Sequence, residues 1–286
     1  MSRASELEKQ AIQITTVKDL TGVFESLAST QVAKVKNKAS MSKEFFDLLW
    51  RRYTAIRVDP KARITNREVN AADEKKVFIV ISAEAGLSGD IDQRLIGQME
   101  KAYDPKTTDI IVLGSHGAQG LTNRGIEYKR FFKVPESDEY IDVSPIVDAI
   151  LPYDSVVVYY EEYISLGVQN IRSIDLISSL RTMSENSDEE LITPEETIFE
   201  PSLDEIADEM EVTMMTLALN ETILESSLAQ AASRFNAMAI ASKRAGELVD
   251  DFTMDFHRAK RADGDRRLRE VLIGLKKRRR LSKGAA

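Results

Sequence analysis

Gly86-Leu-Ser-Gly89 follows the apolar run Val77-Phe-Ile-Val-Ile-Ser82 and precedes a helical stretch near 90 to 102. In that placement a glycine-rich turn can aim backbone N–H groups at a phosphate. The third glycine of the dinucleotide pattern is missing, however, and no Gly-Lys-Ser/Thr completes a P-loop. Gly114-Ser-His-Gly117 follows a second strand-like run, Ile110-Ile-Val-Leu113, and reads as a tight turn needing positive φ. His116 and His257 are the only histidines and fall in different segments, which leaves too little material for a histidine metal site or a histidine-based triad. The chain has no cysteine, which excludes disulfides, thiolate ligands and thiol redox chemistry. Carboxylates are plentiful but show no pairing in a pocket-like context. These residues predict no catalytic group, no cofactor and no metal. The basic run Lys276-Lys-Arg-Arg-Arg280 with Lys283 could form a nucleic-acid patch. It lacks interleaved aromatic residues for base stacking, and the chain carries a net charge of −8, so the expectation is no nucleic-acid partner.

The elements that would position such groups follow from the prolines. All 7 lie between Pro60 and Pro201, so residues 1–59 and 202–286 contain none. Proline breaks a helix interior and glycine costs it about 1 kcal/mol, so both flanks can be long helices. From Leu203, steps of alternately four and three residues run through Met210, Met214, Leu217, Leu224 and Leu228 to Ala259, broken only by Glu221 and Ser242. A 3.5-residue repeat sustained this far is the pattern of a coiled coil. A helix from 202 to about 280 would extend roughly 120 Å and must project from any compact domain. Phe24, Ala28, Val32, Val35, Ala39, Phe46, Leu49, Tyr53 and Ile56 form the apolar face of its natural partner. Because the flanks enclose a globular insert, they would return alongside each other as an antiparallel pair; separate helices of a bundle are the plainer alternative.

The middle alternates strands with helices, with Ser155-Val-Val-Val-Tyr-Tyr160 as a further strand, and reads as a parallel-rich α/β domain. The expected organisation is a helix over 1–59, an α/β domain over 74–200, in which 184–200 is an acidic loop leading into a final strand, and a helix with a basic tail over 202–286. Between Arg181 and Arg234 there is no Lys or Arg, whereas basic residues dominate from Arg258 onward. A helix running from an acidic base to a basic tip suits different partners at its two ends. No run approaches the roughly 18 to 20 apolar residues of a membrane span, and no signal peptide is visible, so a cytoplasmic chain is expected.

Several segments, taken in order, resemble the gamma subunit of F-type ATP synthases. Phe199-Glu-Pro201, Glu225-Ser-Ser, Ser233-Arg-Phe-Asn-Ala-Met238 and Ala241-Ser-Lys-Arg-Ala-Gly-Glu-Leu-Val249 are similar to that family's Tyr-x-x-Glu-Pro, Glu-Ser, Ala-Arg-Met-x-Ala-Met and Ala-x-x-Asn-Ala-Gly-Glu-Leu elements. Leu20-Thr-Gly-Val-Phe-Glu-Ser-Leu27, Ser82-Ala-Glu-Ala-Gly-Leu-Ser-Gly89, Tyr160-Glu-Glu-Tyr163 and Phe256-His-Arg-Ala-Lys-Arg-Ala262 extend the likeness over nearly the whole chain. The departures mark a divergent member. Serine replaces cysteine in the glycine turn, Phe24 and Phe235 replace methionines, Gly264-Asp-Arg-Arg267 replaces Ile-Thr-Gln-Glu, and the basic tail runs past the family's usual end.

The resemblance implies a long antiparallel coiled coil of the N- and C-terminal helices with an inserted Rossmann-like α/β foot. It implies a non-catalytic central rotor shaft that couples ion-driven rotation of a membrane c-ring to ATP synthesis or hydrolysis. The implied partners are the alpha and beta subunits of the hexamer, the epsilon subunit and the c-ring, with the chain peripheral to the cytoplasmic face of the cell membrane. Matched residue by residue, Phe24, Arg234, Lys260 and Arg261 would contact the hexamer, and Thr197, Phe199 and Glu200 would lie near the c-ring. The competing readings are a coiled-coil scaffold or tether with an α/β adaptor domain unconnected to rotation, and an α/β enzyme with helical oligomerisation arms.

Overall fold

The computed structural model describes residues 3–56, 75–134, 142–176 and 203–283. The acidic stretch 184–200 therefore lies outside the described residues. Two helices bracket the chain, α1 (Arg3–Ile56) and the C-terminal helix Leu203–Lys283, here α5. Between them come β1 (Lys76–Ile81), α2 (Ile91–Glu100), β2 (Thr108–Leu113), α3 (Ser115–Asn123), β3 (Arg130–Phe132), α4 (Ser144–Ile150), β4 (Ser155–Ser165) and β5 (Val168–Asp175). The chain forms two compact units, residues 27–237 and residues 1–26 with 238–286.

The larger unit is built on one sheet of order β3-β2-β1-β4-β5. β1 to β4 run parallel, with Lys76 opposite both Thr108 and Ser155, and β5 folds back antiparallel on β4. A parallel sheet covered on both faces calls for continuous apolar strands, and β1 supplies Val-Phe-Ile-Val-Ile. Its alternate side chains enter two cores. Val77, Ile79 and Ile81 pack with Ile111, Ile146, Ile150, Leu219 and Ile223 on the face covered by α4 and α5. Phe78 and Val80 pack with Leu95, Ile96, Met99 and Leu121 on the face covered by α2 and α3. The α/β insert is thus a three-layer sandwich in which the C-terminal helix supplies part of one layer. Strands β3 and β5, at the two edges, are additions to the elements expected from the sequence.

The N- and C-terminal helices form the expected antiparallel pair. Within the larger unit Gln31 of α1 meets Arg234, while Leu49 packs among Met210, Met214 and Met215, so the partner recedes along α5 as α1 advances. Within the smaller unit a Cβ placed on Gly246 would lie 3.7 Å from Cε of Lys18, and Ala4, Met238 and Ala245 are buried. Small side chains let helix backbones approach closely at that level. Met214, Leu228 and Ala231 of the predicted stripe are buried in the larger unit. A second buried row, Met215, Leu219, Ile223, Ser226 and Gln230, lies beside the stripe and faces the sheet domain through Leu219 and Ile223.

Candidate functional site

The turn after β1 meets α5 at the carboxyl end of the sheet. Two close approaches shape it. Ser82 closes β1, its Oγ donating to Leu113 O at 2.7 Å and accepting from Gly117 N at 2.8 Å. Gly114 has φ +93°, and a Cβ there would stand 2.1 Å from Ser82 O. The positive φ expected of Gly114-Ser-His-Gly117 therefore applies to its first glycine. Gly117 is already helical, and is glycine because a Cβ would stand 2.3 Å from Ser82 Oγ.

Asp92, buried in the first turn of α2, accepts from Ala83 N at 2.9 Å and from Ser88 Oγ at 3.0 Å, pinning both ends of the turn. His116 Nδ1 lies 3.8 Å from the same carboxylate. Glu84 accepts from the backbone N and hydroxyl of Ser115 and from Val134 N, tying the turn to α3 and to the residues after β3.

The helix side is a polar row at 226, 230, 233 and 234, spaced to share one face. Arg234 donates from Nε to Gly86 O at 3.0 Å, from Nη2 to Ala85 O at 2.9 Å and from Nη1 to Gln31 Oε1 at 3.3 Å. Ser233 Oγ donates to Ser88 O at 2.6 Å. The glycine turn thus presents carbonyl oxygens to a guanidinium rather than N–H groups to a phosphate. A cavity of only about 150 Å³ remains beside Gln31, Glu84 and Arg234. That is well below the roughly 300 to 1,000 Å³ of sites that bury a drug-sized ligand.

Below this brace, Glu161 of β4 is fully buried. Its Oε2 accepts from the Ser226 hydroxyl and from Gln230 Nε2, the latter at 2.9 Å, while Oε1 has no hydrogen-bond partner among the described residues. Burial pushes the Glu161 carboxyl up to about 8, and the charge of Asp92 acts in the same direction; the two hydrogen bonds pull the other way. A neutral acid at pH 7 removes most of the cost of an unpaired buried charge. No motif in the sequence marks Glu161, Ser226 or Gln230 as site residues. The one signal available was glutamate at the second position of Tyr160-Glu-Glu-Tyr163, where the resembled pattern has asparagine.

The predicted contact residues divide between the units. Arg234 is half-buried in the brace of the larger one. Phe24, Lys260 and Arg261 belong to the smaller one. Phe24 is 39% exposed, and Lys260 and Arg261 are exposed on α5. Lys260 Nζ lies 5.5 Å from the Phe256 ring centre, and Arg261 Nε donates to His257 O at 3.3 Å. Thr197, Phe199 and Glu200 lie outside the described residues. Among the described residues no group of His, Cys, Asp or Glu is placed to hold a metal ion, and no helix is long and apolar enough to cross a membrane.

Residues 3–276 match the family model described as ATP synthase. Curated relatives named ATP synthase gamma chain include one from Halothermothrix orenii, 21% identical over 96% of this chain and 98% of the relative. Another, from Staphylococcus aureus, is 24% identical over the same shares. Among solved structures, a chain of the Euglena gracilis mitochondrial ATP synthase rotor superposes with a TM-score of 0.64 at 15% identity, covering 90% of this chain and 98% of that one. A chain of the Tetrahymena thermophila mitochondrial ATP synthase central stalk and c-ring structure gives 0.59 at 15% identity, covering 78% and 99%. Both share the fold of paired terminal helices around a sheet domain.

Proposed function

The chain belongs to the ATP synthase family as a divergent gamma subunit, and from that premise we propose that it is the central rotor shaft of an F-type enzyme. It is a non-catalytic subunit of that complex. In this reading it couples ion-driven rotation of a membrane c-ring to ATP synthesis or hydrolysis in a surrounding hexamer of alpha and beta subunits. The epsilon subunit joins it at the sheet domain, and the assembly is peripheral to the cytoplasmic face of the membrane.

The observation that supports this reading best is the brace itself. A shaft transmits torque only if the element that is driven cannot slip against the helix that turns. Here the sheet domain is held to α5 by an apolar layer through Leu219 and Ile223 and by directed bonds from Ser226, Gln230, Ser233 and Arg234. Charge-assisted bonds of the Arg234 kind contribute about 1.5 to 3 kcal/mol each. Hydrophobic contacts resist separation, but directed hydrogen bonds also resist sliding. Rotation can change the affinity of a surrounding site only if each angle offers that site different contacts. Phe24, Arg234, Lys260 and Arg261 are the side chains proposed to make those contacts, Arg234 while also holding the glycine turn. Thr197, Phe199 and Glu200 are proposed to lie near the c-ring.

The test is replacement of Arg234, Lys260 and Arg261 together by alanine in the assembled complex. ATP turnover coupled to ion movement is expected to fall at least several-fold while the subunits remain associated. Unchanged coupled turnover in a stably assembled triple variant would refute the contact roles. Failure of the chain to co-purify with a membrane ATPase of six large subunits would instead favour a tether unconnected to rotation.

A further inference from the structure

At the opposite end of the sheet from the brace, the parallel strands β1 and β2 begin side by side, Lys76 opposite Thr108, and β3 joins β2 three residues further on, with Arg130 opposite Ile111. Each is entered through basic residues: Lys75 and Lys76 before and at the start of β1, Lys106 before β2, and Lys129 and Arg130 at β3. These five cations, distant in sequence, line a single cavity of about 360 Å³ together with Asp109. A chain of net charge −8 thus gathers an excess of four positive charges around one concavity. Asp104 and Asp154 lie beside it, each already accepting a backbone N–H, from Lys106 and from Lys75 respectively.

The cavity is organised. Lys129 Nζ donates to Asp109 Oδ2 at 2.7 Å and to the Tyr153 hydroxyl at 3.0 Å, and that hydroxyl donates to the same carboxylate oxygen at 2.6 Å. The Asp109 bond holds the Lys129 ammonium up at about 12, so its charge is constant over the working range. Lys106 and Arg130 are exposed and form no ion pair with a described carboxylate. Thr107 and the buried Thr108 also line it, and buried Ile111 and Ala149 give the concavity an apolar wall. Lysine and arginine donors converging beside hydroxyls are the chemistry that recognises phosphate oxygens, and the apolar wall leaves room for an organic group.

We propose that this cavity binds a small soluble phosphorylated anion carrying at least two negative charges, held chiefly by Lys75, Lys106 and Arg130 with Lys129 fixed behind them. The proposal is independent of the rotor reading, since it rests on the strand starts of the larger unit alone. It is a half-open concavity of about 360 Å³, a size and shape that suit a small soluble ligand better than the flat array of headgroups a membrane presents.

Calorimetric titration of the full chain with inorganic pyrophosphate, and separately with ADP, both without divalent cation, tests it. The expected result is saturable one-to-one binding of at least one probe, weakened tenfold or more in a Lys106→Ala, Arg130→Ala double variant. A Lys243→Ala, Arg244→Ala variant, which removes equal charge from exposed positions of α5, should bind as the parent does. Binding of pyrophosphate alone would assign the site to inorganic phosphates, and stronger binding of ADP would assign it to organic ones. Absence of saturable binding by both probes, or equal weakening in the two variants, would overturn the proposal. So would association with phosphatidylglycerol vesicles that is lost in the first variant while neither soluble probe binds.

Discussion

Glu161 shows how much one side chain can depend on where it is buried. Its carboxyl loses a proton near 4.5 in an unfolded chain and near 8 in the folded one. Between those values the folded state holds the extra proton, so stability falls as pH rises through that window and levels off above it, at up to about 1.4 kcal/mol per pH unit. Glu161→Gln keeps the shape and can still meet Ser226 and Gln230. It is expected to flatten the decline in melting temperature between pH 5 and 9 and to melt several degrees above the parent at pH 9; identical pH profiles would refute the buried-acid assignment. Arg234 acts by geometry rather than titration. Arg234→Ala would strand the carbonyls of Ala85 and Gly86, and urea denaturation should show a loss of about 1 to 3 kcal/mol, with Arg234→Lys recovering only part because a single ammonium lacks the fork. Neither residue's local role was legible in the sequence. Arg234 stood out only by resemblance, as an outward contact, and its bonds to the turn depend on a chain reversal that no local pattern encodes.

Among the elements, the sequence revealed those with a strong period or a long apolar run. β1, β2, β4 and both terminal helices follow from such patterns. β3 is three residues long and only partly covered, and β5 alternates exposed with half-buried positions, so neither carried enough hydrophobic signal. The second buried row of α5 was hidden for a different reason: Ser226 and Gln230 look like surface residues in a heptad and are buried only because Glu161 faces them. The glycines separate backbone preference from packing. Alanine in place of helical glycine normally stabilises by up to about 1 kcal/mol. Gly97→Ala in α2, where a new Cβ would meet nothing within 4 Å, is expected to do so. Gly117→Ala in α3 should do the opposite, because the methyl would collide with Ser82 Oγ. Thermal unfolding of the two variants reads the difference directly, and two shifts of the same sign would show that the Ser82 contact yields.

For the molecule as a whole, the order of degenerate motifs along the chain carried more information than any single one, which is why the family was legible at little more than one identity in five. The basic tail is the part least explained by that kinship. The helix continues to Lys283, and closely spaced like charges favour hydration, so deletion of 276–286 is expected to leave ATP hydrolysis by the assembled complex nearly unchanged at low and high salt. A large salt-sensitive activation would identify the tail as a brake. The antiparallel pairing of the two ends also governs how the chain comes to exist. Gln31 and Arg234 are 203 positions apart, so at 5 to 20 residues per second the ribosome spends roughly 10 to 40 s making what separates them. Throughout that interval the apolar face of α1 has no partner strand of chain to cover it, while β1 to β4 and their helices can already assemble from neighbours close in sequence. The nascent N-terminal helix is therefore the segment most exposed to chaperone capture and to wrong association, and the last helix to be synthesised is the one that ends its vulnerability.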